Sequence, residues 1–184
     1  MASIAACLIG LPTPERRALQ IEALWSAWGQ TREPDDLVIG SDHSARGEVW
    51  NANRVLRATD CEWLAFLDDD DLWLPGHLEV CERFFDNADV VVSRYDLVGR
   101  PWHTIEGWHT DFQDLRRTNW IGSPSMVVAR REVFGEWVEA SGKYRWIDWC
   151  NYNRLLDQGA RFVDTGHVTT VYRFGKWSNG SWRS

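Results

Sequence analysis

The chain has 184 residues, of which 44% are hydrophobic and 26% are charged, and its formal net charge is −7. This length fits one domain with a sizeable core, and the negative charge argues against a surface that binds nucleic acid. The cysteines form no Cys-x-x-Cys pair, so zinc and redox motifs are not expected. We expect reduced, buried thiols in a cytoplasmic protein instead. The four cysteines are Cys7, Cys61, Cys81 and Cys150.

The first half of the chain alternates between strand and helix patterns. Its apolar start is too short to span a membrane and lacks the basic region of a signal peptide, so it is interpreted as a strand. Thr13 as a cap and Pro14 at the first helical position predict a helix that ends at Gly29. The pattern is βαβαβ, the first half of a doubly wound sheet, in which ligands bind outside the carboxyl ends of the strands. The predicted strands are residues 2–9, 36–40 and 63–67, and the predicted helices are residues 14–28 and 52–59.

The second half has weaker periodicity. Residues 94–119 form a long irregular segment rich in tryptophan, and such segments in compact domains are more often functional than idle. Asp148 is expected in the first turn of a helix that Gly159 closes, where a carboxylate is favoured by the helix dipole. The other predicted elements are helices at residues 78–85 and 133–138 and strands at residues 88–93, 125–129, 161–163 and 168–172.

Four consecutive carboxylates, Asp68–Asp71, directly follow the apolar strand Trp63–Leu67. Like charges at the end of a buried strand repel each other and resist desolvation, and a hard divalent cation offsets that cost. The alternative to a cation site is a solvated turn that happens to be acidic. An EF-hand is rejected because Leu72 and Trp73 stand where a ligand and the obligatory glycine belong, and a glycosidase pair because neighbours on one strand end cannot face each other across a sugar. Metal binding for a diphosphate substrate is the hypothesis that remains.

The order of Pro12-Thr13, Asn53-Arg54 and the run Trp63–Asp71 resembles the family 2 glycosyltransferases of GT-A fold. The resemblance covers the first 85 residues and returns around residues 147–149 and 155–162. It implies one α/β domain, a Rossmann-like three-layer sandwich with a mostly parallel central sheet. Residues 1–95 would then be the half that binds the nucleotide sugar, and residues 96–184 the half that binds the acceptor.

The resemblance also implies an activity: metal-dependent transfer of a sugar from a nucleoside-diphosphate donor, with inversion. Asp68 and Asp70 match the family's D-x-D motif, with Asp70 as the direct ligand of Mn²⁺ or Mg²⁺. Asp148 matches the general base that deprotonates the acceptor hydroxyl. Single displacement needs such a base and a neutralised leaving group. The further candidates are Pro12, Thr13, Asp42, Arg54 and Asp69 for the nucleotide sugar and Trp102, Trp120 and Trp149 for the acceptor.

Three positions depart from the family pattern. Ile147 stands where the family usually has a glutamate before the base. Strand two ends in Gly40-Ser41-Asp42, with one aspartate where the family often has two. No histidine follows the last strand, which leaves Arg173 or Lys176 as the candidate to bind the pyrophosphate.

The expected partners are a nucleotide-sugar donor, with a UDP-sugar favoured, and a protein, lipid or glycan acceptor, without nucleic acid and without a membrane span. Because the chain is short for the family, a homo-oligomer that completes the acceptor site is a hypothesis. The alternative function is a non-catalytic module of GT-A fold that binds a nucleotide or a glycan. A nucleotidyltransferase is disfavoured because residues 11–15 offer no glycine-rich basic loop.

Overall fold

The computed structural model describes residues 2–10, 13–41, 46–99, 109, 111–142 and 144–173. Within them, seven strands form one sheet, five α-helices flank it, and two short 3₁₀ helices lie in the second half. The strands are β1 (Ile4–Gly10), β2 (Asp36–Ser41), β3 (Trp63–Asp68), β4 (Leu72–Trp73), β5 (Val90–Val98), β6 (Val127–Arg130) and β7 (Phe162–Arg173). The α-helices are α1 (Arg17–Trp28), α2 (Glu48–Leu56), α3 (His77–Glu82), α4 (Arg131–Phe134) and α5 (Ile147–Asp157), and the 3₁₀ helices are Phe112–Arg116 and Pro124–Met126.

The sheet is mostly parallel, with the strand order β2-β1-β3-β6-β5-β7-β4. The pairs β1–β2, β1–β3 and β5–β7 are parallel, whereas β6 runs antiparallel to both its neighbours and β4 runs antiparallel to β7. The predicted βαβαβ half is therefore confirmed. Ile9 of β1 pairs with Asp68 of β3, and Gly10 pairs with Ser41 of β2, so three strands end side by side at one edge.

The sheet separates two cores, which makes three layers. In β3, Leu64 and Phe66 point into a core shared with α2 and α5, and Trp63, Ala65 and Leu67 point into a core shared with α1 and α3. This alternation is what a strand that is covered on both faces requires. Because β3 is buried on both faces up to its carboxyl end, the carboxylates that follow it lie at the edge of the sheet.

Helix α1 differs from its prediction at its start. It begins at Arg17, and Thr13 does not cap it, because the Thr13 carbonyl instead accepts the Arg16 N–H at 3.1 Å and closes a turn before the helix. The helix packs small residues against the sheet, since Ala23 and Ala27 are buried. Its bulky residues Ile21, Trp25 and Trp28 are 49%, 69% and 67% exposed.

The second half departs further from the predicted elements. The two predicted closing strands are one strand, β7, which passes through Gly166 at a φ of +73°. Strand β5 continues to Val98, and β4 has no counterpart among the predicted elements. All four cysteines are free, as expected. Among the described residues, no helix has both the length and the apolar character needed to cross a membrane.

Candidate functional site

The acid cluster, Asp68–Asp71, lies at the carboxyl end of β3 and turns back into the protein. Asp69, Asp70 and Asp71 are buried, and Asp71 has no exposed surface. Carboxylate oxygens of Asp68, Asp70 and Asp71 lie within 4.8 Å of one another. Three such oxygens suit a hard cation such as Mn²⁺ or Mg²⁺. The sequence predicted Asp68 and Asp70 for this role, and the structure adds Asp71 to them.

Two serines that the sequence analysis missed hold these carboxylates. Ser125 Oγ accepts the Asp68 N–H at 2.9 Å and donates to Asp71 Oδ2 at 2.7 Å. Ser123 Oγ lies 2.7 Å from Asp71 Oδ2 and 3.0 Å from Asp68 Oδ2. Because one hydroxyl has one proton to donate, Ser123 donates to one of these two oxygens at a time, and Ser125 donates to Asp71 Oδ2 as well. The sequence feature that could have indicated these serines is the Ser-Pro-Ser stretch before β6, which places both hydroxyls next to the end of β3.

Burial and mutual repulsion disfavour the ionised form of the cluster. Desolvation, followed by the charge of Asp70, raises the pKa of Asp71 from 3.8 to about 7. Desolvation, followed by the charges of Asp71 and Asp70, also raises the pKa of Asp68. A bound divalent cation would reverse both effects, since it removes the repulsion and favours the ionised carboxylates. The residues present therefore fit a divalent metal.

Arg16 neutralises the other side of the cluster. Its Nη2 donates to Asp69 Oδ1 at 2.8 Å and to Asp70 Oδ2 at 2.5 Å, and all three side chains are buried. Gly10 makes room for this arrangement, because a Cβ at that position would lie 2.5 Å from Asp69 Oδ2. Arg173, at the end of β7, donates its backbone N–H to Asp71 Oδ1 at 3.0 Å and its Nε–H to the Asp70 carbonyl. Both arginines thus contact the cluster directly.

Asp148 lies in the first turn of α5, as predicted. Asn119 Nδ2 donates to its Oδ2 at 2.8 Å, and the Trp149 N–H donates to its Oδ1 at 2.7 Å. Desolvation raises the pKa of this carboxyl, and the hydrogen bond from Asn119 opposes that rise. A carboxylate whose pKa is raised is a stronger base, which suits proton abstraction from a hydroxyl.

Tyr152 lies within electrostatic range of both Asp148 and the acid cluster. One helical turn separates it from Asp148, so both side chains lie on the same face of α5. Its phenol is fully buried, and desolvation followed by the charges of Asp148 and Asp68 raises its pKa. The Glu48 carboxylate, in the first turn of α2, lies within electrostatic range of Asp148 and Arg16. Asp148 and the acid cluster thus have two neighbours in common, Tyr152 and Glu48, and their membership of one site stays a prediction.

The other predicted site residues lie apart from these contacts or outside the described residues. Thr13 is exposed. Arg54 lies on the exposed face of α2, where its guanidinium stands 5.8 Å from the centre of the Trp50 ring and donates to Asn51 Oδ1 at 3.2 Å. Their roles stay predictions. Pro12, Asp42, Trp102 and Lys176 lie outside the described residues.

Two candidate acceptor residues flank Asp148. Trp120 follows Asn119, and the His109 ring stacks on it with the ring centres 5.8 Å apart. Trp149 follows Asp148 and donates its indole N–H to the Leu115 carbonyl. Both residues are half-buried. This placement is compatible with a sugar platform, and that role stays a prediction.

Comparison with known proteins defines the class. Residues 30–145 match the family model described as glycosyl transferase family 2. Since this match spans more than half of the chain, the protein belongs to that family, and the resemblance carried by the acid run is confirmed. No match was found among curated protein sequences.

Solved structures of TarS from S. aureus share the fold. The crystal structure of TarS 1-349 matches with a TM-score of 0.68 and 15% identity over 93% of this chain and 60% of that chain. The complex of that fragment with UDP matches with a TM-score of 0.67 and 15% identity, over 94% of this chain and 61% of that chain. The complex with UDP-GlcNAc matches with a TM-score of 0.66 and 14% identity, over 96% of this chain and 60% of that chain. The chain thus spans about three fifths of the TarS fragment. The GT-A fold is confirmed.

Proposed function

We propose that this protein transfers a sugar from a nucleoside-diphosphate donor, with a UDP-sugar favoured, to an acceptor hydroxyl. The observation that carries the proposal is a group of three carboxylates that suits a cation, together with a half-buried carboxylate that suits a base, both within electrostatic range of Tyr152. Family membership supports it. The similar TarS fragment binds UDP and UDP-GlcNAc in its crystal structures.

The donor half supplies charge neutralisation. Asp68 and Asp70 would hold Mn²⁺ or Mg²⁺, with Asp71 beside them, and the ion would neutralise the diphosphate as it leaves. Arg173 contacts the cluster through its backbone and its guanidinium, which makes it a better candidate than Lys176 for the pyrophosphate. Asp69 anchors Arg16. In this proposal residues 1–95 form the donor half and residues 96–184 the acceptor half.

The acceptor half supplies the base. Asn119 and the Trp149 N–H hold the two oxygens of Asp148 in place, so the carboxylate can take the proton of an acceptor hydroxyl as that oxygen attacks the sugar. Attack from the side opposite the leaving diphosphate inverts the anomeric centre. The acceptor is a protein, lipid or glycan, and completion of its site by a second copy stays a hypothesis.

A non-catalytic binding module is the second candidate function. Ile147 favours it, because this apolar side chain packs against the core where the family usually has a glutamate beside the base. A module of this kind would bind UDP through the acid cluster and would turn over no donor.

Asp148→Asn separates the two candidates. We expect the rate of UDP release from a UDP-sugar, with water or an added acceptor, to fall about 10²–10⁴-fold, because an amide cannot take the proton. UDP affinity should stay within about twofold, because the change lies away from the cluster. The matched control is Asp157→Asn at the exposed end of the same helix, which should keep full turnover. Equal turnover in Asp148→Asn and the wild type would refute the role of Asp148.

A further inference from the structure

Arg16 carries a hydrogen-bond donor that has no partner among the described residues. The residue is 7% exposed, and its buried Nε–H meets no acceptor. Leaving such a donor unpaired is costly for a buried cation. The same guanidinium is fully engaged at Nη2 by Asp69 and Asp70. The Nη2 group of Arg16 is therefore satisfied by the acid cluster, whereas its Nε–H is buried and has no partner among the described residues.

The position of Arg16 creates a competition for Asp70. The Asp70 oxygen that accepts from Arg16 at 2.5 Å belongs to one of the three carboxylates grouped for a cation. A divalent ion bound to that carboxylate would lie close to a fixed positive charge, and the two would repel each other. The ion alone should therefore bind weakly to the cluster.

A diphosphate removes that conflict. Its oxygens accept from a guanidinium through two parallel N–H groups, as carboxylates do. An anion that lies between Arg16 and the metal ion attracts both positive charges, and this attraction offsets their mutual repulsion. The unpaired Nε–H supplies the first of those N–H groups.

We propose that Arg16 is a donor-binding residue that couples the cation to the nucleotide diphosphate. Its guanidinium neutralises Asp69 and Asp70 when no diphosphate is bound. When the donor binds, Arg16 turns its Nε edge to a diphosphate oxygen and releases Asp70 to the metal ion. This inference rests on the proposed function, because it takes the diphosphate from the nucleotide-sugar donor.

The coupling must act in both directions. If UDP raises the affinity for Mn²⁺, then Mn²⁺ raises the affinity for UDP by the same factor. Removing the Arg16 charge should relieve the repulsion of Mn²⁺ and also remove a ligand of UDP. The two affinities should thus change in opposite directions, which a merely structural role of Arg16 would not produce.

The test compares Arg16→Gln with Arg17→Gln, which removes the same charge from the exposed neighbouring residue. Binding of Mn²⁺ alone is followed by electron paramagnetic resonance of the free ion, and binding of UDP at saturating Mn²⁺ by calorimetry. We expect Arg16→Gln to bind Mn²⁺ alone about tenfold more tightly and UDP about tenfold more weakly. Arg17→Gln should match the wild type in both assays.

Arg16→Gln leaves Asp69 without its ion pair, so circular dichroism and thermal unfolding check its fold. If it does not fold, Arg16→Gln with Asp69→Asn removes one charge of each sign, so UDP affinity should still fall while Mn²⁺ affinity stays near that of the wild type. Unchanged Mn²⁺ affinity in folded Arg16→Gln, or unchanged UDP affinity in either folded variant, would overturn the role of Arg16. Absence of UDP binding to the wild type would instead overturn the proposed function, so the two failures are distinguishable.

Discussion

The two ends of the site are held by different kinds of structure. The acid cluster is fixed by the buried side chains of Ser123 and Ser125 before β6 and of Arg16 in the turn before α1. The backbone N–H of Arg173 in β7 adds a further hydrogen bond. Asp148, by contrast, receives one side-chain hydrogen bond, from Asn119, and one from the backbone of its own helix. The cluster is thus part of the core, whereas the base sits on a lightly supported helix end. Changes at the cluster should cost stability, and changes at the base should cost turnover.

The largest expected effect is the pH dependence of stability. The raised pKa values of Asp71 and Asp68 mean that the folded protein binds these protons more tightly than the unfolded chain does. The stabilising contribution of Asp71 is therefore complete only below its unfolded pKa of 3.8 and is lost as the pH rises through about 7. The contribution of Asp68 is lost in the same direction, as the pH rises. For Asp71 the loss is at most about 4 kcal/mol. Thermal unfolding from about pH 5 to about pH 8 should show a falling midpoint that Mn²⁺, added in large excess because the ion alone binds weakly, restores at the upper end.

A midpoint that rises over this range, or that ignores Mn²⁺ at the upper end, would contradict the account of the cluster. Magnesium provides the comparison ion, and calcium, which is larger, tests whether the spacing of the carboxylates selects for size.

Ser125→Ala is the next test. The change leaves the buried Asp68 N–H without a partner and removes one of the two hydroxyl donors to Asp71 Oδ2, so we expect the free energy of unfolding to fall by about 1–3 kcal/mol. Urea denaturation measures it. Ser141→Ala, on the exposed surface, serves as the control and should change stability by less than about 0.5 kcal/mol. Equal effects of the two variants would mean that the serine network adds no stability.

Asn119→Ala should reduce turnover more than it reduces stability. We expect less than about 1 kcal/mol of lost stability but a turnover reduced about tenfold, since the carboxylate loses its orienting bond. The Asn119 bond lowers the pKa of Asp148, so its removal should move the acidic limb of the pH–rate profile to higher pH. Asn87→Ala, at an exposed position, is the control. An unmoved acidic limb would show that Asp148 is not the titrating base.

The same contrast explains what the sequence could predict. The strand Trp63–Leu67 and the acid run were evident because a buried strand and its polar end are local patterns. Asp148 at the start of α5 was evident for the same reason. Ser123, Ser125 and Asn119 were missed because their partners lie 29 or more positions away, where only the pairing of β3 with β6 or the packing of α5 brings them together.

Other errors have equally specific causes. The spacing of Ile21, Trp25 and Trp28 indicated a helix, but a period does not say which face the sheet covers. Thr13 was expected as a cap, and its backbone closes a turn instead. The polar interruption at Gly166 split one strand into two predicted ones. The division into donor and acceptor halves and the cytoplasmic location stay predictions.

The measurement that tests the central claim most directly is calorimetric titration of UDP, with and without Mn²⁺, into the wild type and Asp70→Asn. The account predicts UDP binding that requires Mn²⁺ in the wild type and is lost in the variant, because the amide cannot replace an ionised ligand of the ion. GDP and dTDP define the base preference. Absence of nucleotide binding in the wild type under both conditions, or Mn²⁺-dependent binding that Asp70→Asn retains, would contradict it.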